Sequence, residues 1–218
     1  RMKARLFEHL AQEITDRRLL TAMAQVPREA FIPEVSIHLA YEDIPLPIGQ
    51  EQTISQPIIV AMMTAALAPK ETDTILEIGT GSGYQAAVFS LLARKVTTVE
   101  RFPELAERAR TVLGSLGYDN VNVQLAGQGL ACPEESPFDG IMVTAGAPRL
   151  PRLLLDQMTN GGRLVIPVGS QREQELLLVK KEEEGYTVKG LGPCRFVPLV
   201  GQGAWPKDET NGYEPAFL

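Results

Sequence analysis

The chain has 218 residues, 44% hydrophobic and 22% charged, proportions that exclude a disordered chain and support a sizeable core. Its net charge of −6 shows no basic stripe of the kind nucleic acids require, and serves mainly solubility. Cys132, Cys194, His9 and His38 stand in no ligand motif, so neither a disulfide framework nor a protein-bound metal is expected.

In chain order, residues 2–26 read as one or two amphipathic helices. Leu6, Phe7, Leu10 and Ile14, then Leu19, Leu20, Met23 and Val26, recur at helical spacing. This charged start is unlike a secretory leader, and the longest apolar run, 58–69, falls short of the roughly 20 residues a bilayer needs. A soluble, cytoplasmic protein is expected. Pro27 and Pro33 break the helical pattern, and residues 40–57 form a long irregular segment rich in Pro, Gly and Gln, of the kind that often carries function. A helix over 58–68 precedes Pro69. Strands and helices then alternate: strand 74–78, helix 85–94, strand 95–99, helix 103–116, strand 121–125, strand 140–144 and helix 151–158. Gly161 and Gly162 read as a turn into strand 163–168, and the runs 176–180 and 195–199 as strands at one edge.

This alternation predicts an α/β fold, a doubly wound, mainly parallel sheet covered on both faces, with an N-terminal helical extension. The whole chain reads as one domain. Helices and an active-site loop occupy 1–69, a cofactor-binding core 70–170, edge strands 171–205 and a loose polar tail 206–218.

Leu76-Glu77-Ile78-Gly79-Thr80-Gly81-Ser82-Gly83-Tyr84 leaves a predicted strand and opens a predicted helix, the context in which a nucleotide-type glycine loop works. Glycine lets the chain turn there and lets a ligand approach the backbone without a Cβ in the way. A dinucleotide fingerprint needs its third glycine where Tyr84 stands. Gly79, Gly81 and Gly83 therefore suit a small adenosine ligand better than a pyrophosphate. Glu100 ends the next strand, where an acidic residue accepts hydrogen bonds from a ribose diol. Glu77 is placed to orient either the loop or an amino group of the ligand. Without a ligand, the same residues would be a glycine-rich turn and a solvated strand end.

Seven stretches carry a resemblance running from about residue 16 to about residue 201: VPREAFIP (26–33), AYEDIPLPIG (40–49), QTISQP (52–57), LEIGTGSGYQAA (76–87), VTTVER (96–101), GGRLVIPVG (161–169) and RFVPLV (195–200). Together they resemble the protein-L-isoaspartate O-methyltransferase family. The glycine loop alone marks only the broader S-adenosylmethionine-dependent methyltransferase fold, whereas QTISQP with RFVPLV is far more specific.

The resemblance implies methyl transfer from S-adenosylmethionine to the free α-carboxyl of L-isoaspartyl residues, and to D-aspartyl residues, in damaged proteins. S-adenosylhomocysteine is the by-product, and the ester closes to a succinimide that can reopen to aspartate. Carried onto this chain, Gly79, Gly81 and Gly83 line the cofactor and Glu100 holds its ribose. Ser55 is the active-site serine, flanked by Thr53 and Ile54. Residues 144–148 and 195–198 border the substrate groove, with Ala145, Arg195, Val197 and Pro198 among them. Damaged proteins and peptides are then the partners, with no nucleic acid and no membrane, and the chain is expected to act as a monomer.

One position departs from the family. Where an Asp-Gly pair usually follows the third strand, its aspartate contacting the adenine amino group, this chain reads Leu125-Ala126-Gly127-Gln128-Gly129. Gly127 replaces the aspartate, and Gln128 becomes the candidate contact through its side-chain amide. Losing a hydrogen bond to a carboxylate costs about 1.5–3 kcal/mol.

Neither histidine falls in a motif suited to a general base. A carboxylate acceptor needs none, because a pKa of roughly 3.3–4.3 leaves it ionised at neutral pH. Ser55 is expected to donate a hydrogen bond that aligns the acceptor, since no Gly-x-Ser-x-Gly elbow surrounds it to make it a nucleophile. Alternatively, Ser55 caps the helix beginning near Pro57. Rival readings are a methyltransferase for another carboxylate, a module that binds isoaspartyl sites without turnover, and an NAD-dependent oxidoreductase, which Tyr84 opposes.

Overall fold

A computed structural model describes residues 2–127 and 132–206. The N-terminal region forms α1 (Met2–Glu13) and α2 (Arg17–Gln25), the latter capped by Asp16, whose side chain accepts from the N–H groups of Arg18 and Leu19. Two 3-10 turns, Arg28–Phe31 and Glu34–Leu39, follow the prolines that break the pattern.

The segment expected to be irregular holds a small hairpin, β1 (Leu46–Gly49) with β2 (Gln52–Ile54), pairing Leu46 with Ile54 and Pro47 with Thr53. Its tip turns through Gln50 and Glu51 at φ of 54° and 56°, a left-handed turn usually built from Asn and Gly. The helix α3 (Pro57–Leu67) begins immediately after the hairpin, with Pro at its first turn.

The alternating core comprises β3 (Thr74–Ile78), α4 (Tyr84–Ser90), β4 (Lys95–Glu100), α5 (Pro103–Ser115), β5 (Val121–Leu125) and β6 (Phe138–Val143). It continues through α6 (Arg152–Asp156), β7 (Met158–Gly169), β8 (Gln174–Glu182) and β9 (Gly185–Cys194). Among the described residues these strands form one sheet in the order β5-β4-β3-β6-β7-β8-β9. The pairs from β5 to β7 are parallel, and β8 and β9 add antiparallel at the edge. From β3 the chain steps outward to β5 and then crosses back to β6 on the other side of β3. That reversal leaves a crevice beyond the carboxyl ends of β3 and β6, where ligands of such sheets bind.

Each face carries its own core, because neighbouring strand residues point to opposite sides. On one, Ile75, Val96 and Val165 pack with Leu10, Met23, Met63, Phe89 and Leu113 from the first five helices. On the other, Leu76, Ile141 and Ile166 pack with Leu154 of α6 and with Leu199. Helices are thus concentrated on one face, while α6 and irregular chain close the second.

Three expectations need correction. Residues 195–199 are not a strand. The edge strand is β9, whose glycine-rich, largely exposed sequence hides the apolar alternation of a half-buried strand. Gly161 and Gly162 lie within β7 and not before it, at an irregularity where Phe138 pairs with Met158 but Gly140 pairs with Arg163. The helix expected over 85–94 ends at Ser90, with Leu91 as its C-cap.

The left-handed backbone at Glu51 costs a side-chain-bearing residue about 1 kcal/mol or more. Glu51→Gly should therefore raise the thermal midpoint by about 2–4 °C for each kcal/mol relieved. An unchanged or lower midpoint by scanning calorimetry would show an unstrained tip.

Candidate active site

The glycine loop is tied to the end of β4. The N–H groups of Gly79 and Thr80 both donate to the Val99 carbonyl, at 2.8 and 3.2 Å. Gly81 N–H donates to Glu100 Oε2 at 2.8 Å, and Phe102 N–H to Glu100 Oε1 at 3.0 Å. Each oxygen of this buried carboxylate thus spends one acceptor position on the backbone and keeps another for a ligand. All three loop glycines have positive φ. At Gly79 a Cβ would also sit 2.4 Å from Thr144 Oγ1, whose hydroxyl donates across the crevice to the Gly79 carbonyl.

Gly79 and Gly81 line the resulting cavity, of about 430 Å³, but Gly83 does not. It N-caps α4 and lets that helix lie against α5, where a Cβ would meet Ala109 and Leu113 at 3.2 and 3.3 Å. The third glycine thus packs two helices and stands one residue from the lining residues Ser82 and Tyr84.

Glu77 is fully buried on the cavity. A hydroxyl relay reaches it: Thr80 and Thr98 are 2.7 Å apart, and Thr98 donates to Glu77 Oε2 at 2.7 Å. Its other oxygen, Oε1, has no partner among the described residues. Burial, partly offset by Thr98 and reinforced by nearby Glu100, pushes the Glu77 carboxyl up to about 8.

The hairpin supplies another wall. Thr53, Ile54 and Ser55 line the cavity, Ile54 buried and the other two half-buried. The Ser55 hydroxyl makes no hydrogen bond among the described residues, although its carbonyl accepts from Arg28 Nη2 at 2.8 Å. Nor does it cap α3. The N-cap is Gln56, and Asp43 Oδ1 receives the Ile58 N–H at 2.8 Å.

Ala145, Arg195, Val197 and Pro198 line the same cavity. Residues 195–199, though not a strand, are pinned by backbone bonds from Gly146 N–H to Val197 and from Leu199 N–H to Gly146, at 2.7 and 2.8 Å. The buried Gln174 accepts from Phe196 N–H at 2.7 Å and donates to Ser170 at 2.8 Å. Cys194 also faces the cavity, its thiol pushed up to about 11 by burial and Glu175, and so stays protonated. Ala126 lines the cavity beside exposed Gly127, whereas Gln128 lies outside the described residues.

Sequence reasoning assigned no role to Arg28 or Gln174, because a buried polar side chain leaves no periodic signal. Their only trace was membership of, or contact with, the stretches 26–33 and 195–200.

Residues 1–204 match the family described as protein-L-isoaspartate(D-aspartate) O-methyltransferase. The chain belongs to that family. It is 53% identical over 196 residues to protein-L-isoaspartate O-methyltransferase 1 of Syntrophobacter fumaroxidans, covering 90% of this chain and 92% of that one. It is 49% identical over 201 residues to the Geobacter metallireducens protein-L-isoaspartate O-methyltransferase, covering 92% and 93%. A solved protein-L-isoaspartate O-methyltransferase superposes with a TM-score of 0.84 at 30% identity, over 93% of this chain and 67% of that one. A Plasmodium falciparum structure described under the same enzyme name, in complex with S-adenosyl-L-homocysteine, gives 0.79 at 25% identity, over 91% and 98%.

The raised Glu77 carboxyl sets the sign of one pH effect. Between about 4.5 and about 8 the ligand-free native state keeps a proton that the unfolded chain has released, so this group's contribution to stability falls as pH rises. The wild-type midpoint should drop relative to Glu77→Gln from pH 5 to pH 8. Parallel melting profiles for the two proteins would remove the buried proton.

Proposed function

We infer that the protein transfers a methyl group from S-adenosylmethionine to the free carboxyl of L-isoaspartyl residues, and of D-aspartyl residues, in damaged proteins, initiating their repair. The observation that carries this is one cavity bounded both by the glycine loop with Glu77 and Glu100 and by the unengaged hydroxyl of Ser55. Its size falls within the range of small-molecule sites.

The donor-side residues suit an aminoacyl-adenosine sulfonium. Glu100 offers its two spare acceptor positions to a ribose diol, and the orphaned Glu77 Oε1 offers one to an ammonium group. Gly79 and Gly81 allow close approach of the backbone. When bound, S-adenosylmethionine supplies a methyl made electrophilic by its sulfonium.

On the acceptor side, Ser55 Oγ donates to one oxygen of the substrate carboxylate and fixes its direction. Thr53 and Ile54 hold the flanking peptide against Arg195, Val197 and Pro198. Ile59, Val60 and Met63 of α3 present apolar surface that excludes water. Orientation of this kind can lower a barrier by about 7–11 kcal/mol. No side chain need take a proton, because the acceptor arrives ionised. Neither His9 nor His38 reaches the cavity. Transfer neutralises an anion against a cation, a change favoured where water is scarce.

We place this activity in the cytoplasm and in a monomer. Support comes from one chain sufficing to bound both the donor and the acceptor side of the cavity, and from cysteines that are free thiols. No helix among the described residues is long and apolar enough to cross a membrane.

Radiolabelled methyl transfer to an isoaspartyl peptide, with its aspartyl twin as control, tests the reaction. Ser55→Ala should lower kcat/KM by about tenfold to a hundredfold, the worth of one hydrogen bond to a charged group, with affinity for S-adenosylhomocysteine preserved. Undiminished turnover in the folded variant would remove the role of Ser55. Cofactor binding without any labelling by the wild type would leave a recognition module.

A further inference from the structure

Arg28 heads the largest fully buried side chains, at 1% exposure, yet forms no ion pair among the described residues. Its Nη2 donates to the Ser55 carbonyl at 2.8 Å, and its guanidinium lies 4.9 Å from the centre of the Tyr84 ring. Nε and Nη1 have no hydrogen-bond partner. Ser55 and Tyr84 both line the cavity, whereas Arg28 lies behind them. Asp43 attracts it from beyond ion-pair distance while holding the Ile58 N–H, and Glu29 accepts from the Tyr41 hydroxyl. Burial lowers the guanidinium pKa, opposed by Tyr84, Asp43 and Tyr41, but an arginine stays charged.

A buried cation with no ion pair, attracted by Asp43 only at longer range, is an expensive way to hold one carbonyl, since a neutral amide could donate the same bond. What a cation adds is attraction for an anion across several ångströms of poorly polarisable interior. Charge in and around the cavity is divided accordingly. The ends of β3 and β4 bring two carboxyl groups, Glu77 and Glu100, to the glycine loop, and the hairpin has a cation behind it. A sulfonium donor suits the first arrangement and a carboxylate acceptor the second.

We propose that Arg28 is a positioning residue for the acceptor, anchoring the Ser55 backbone and supplying the positive potential that makes this site select an ionised carboxyl over a neutral one. The inference rests on the carboxyl methyltransferase reading above. It also gives a reason for VPREAFIP and QTISQP to occur together in one chain: the first supplies the charge and the second the hydroxyl.

The test compares two peptides binding to the enzyme saturated with S-adenosylhomocysteine, measured by calorimetry. One carries an L-isoaspartyl residue with its α-carboxyl free, and the other has that carboxyl converted to a carboxamide. Wild type should prefer the free carboxylate by about tenfold or more, the scale expected when a buried charge loses its complement. Arg28→Gln, which keeps a donor but no charge, should reduce the preference to about threefold or less, with S-adenosylhomocysteine affinity and the melting midpoint near wild type. Arg28→Lys should restore most of the preference.

Equal weakening toward both peptides in Arg28→Gln, or no recovery in Arg28→Lys, would leave Arg28 a scaffold residue and overturn the proposal. If Arg28→Gln does not fold, the wild-type comparison still decides, since equal affinity for the two peptides leaves no potential to explain. Wild type that binds S-adenosylhomocysteine but neither peptide would instead sink the functional reading itself.

Discussion

The site depends on the joint between the glycine loop and the end of β4. Two loop N–H groups share the Val99 carbonyl, and a third is held by Glu100. These bonds fix where the chain leaves β3, and hence where the backbone of Gly79 and Gly81 stands relative to the crevice. They also charge Glu100 with two tasks, since the carboxylate that holds the loop is the one that faces the cavity. A side chain fixed by backbone bonds loses little further entropy when it binds a ligand. Removing that carboxyl would therefore disturb both the shape and the chemistry of the pocket.

Electrostatics divides the cavity in the same way. Among the described residues, Glu77 has no partner for one oxygen on the sheet side, and Arg28 has none for Nε and Nη1 on the hairpin side. Unsatisfied buried groups are rare in native proteins and usually mark a function or an absent partner. Here a sulfonium with its ammonium and a peptide carboxylate would complement them. In a poorly polarisable pocket such pairing gives orientation as well as affinity, because each charge is attracted to only one end.

The sequence made the sheet legible where an apolar or alternating run is bounded by turn residues, whether buried throughout, as β3, or only in part, as β5. The residues read as strands at 74–78 and 121–125 are the bounds of β3 and β5. The glycine loop followed from its place between strand and helix. Legibility failed where tertiary bonds replace local pattern. The residues at 195–199 look like a strand because they are apolar, but they bury that surface while pinned by Gly146 and Gln174 and belong to no ladder. The segment β9 looks like a loop because both of its faces meet water over 185–190 and glycines interrupt it. The hairpin was hidden because its turn uses Gln50 and Glu51 where Asn and Gly are usual. Gly83 and Gly79 cannot be told apart by spacing, yet one packs helices and the other opens a cavity.

A common feature links what was missed. Arg28, Asp43 and Gln174 each place a polar group against the backbone of a segment that lines the cavity: Arg28 on Ser55, Asp43 at the start of α3, Gln174 on Phe196. None of the three is itself part of the lining. The walls at 53–55 and 195–198 are short, held otherwise only by a small hairpin and an isolated bridge. They take their rigidity from side chains one layer back. That explains how 40–57, with one short hairpin, and 195–200, with isolated bridges, can present side chains at fixed positions. A wall built on a regular element is held by its own backbone bonds, whereas one held by outside clamps depends on the clamp and the clamped backbone together.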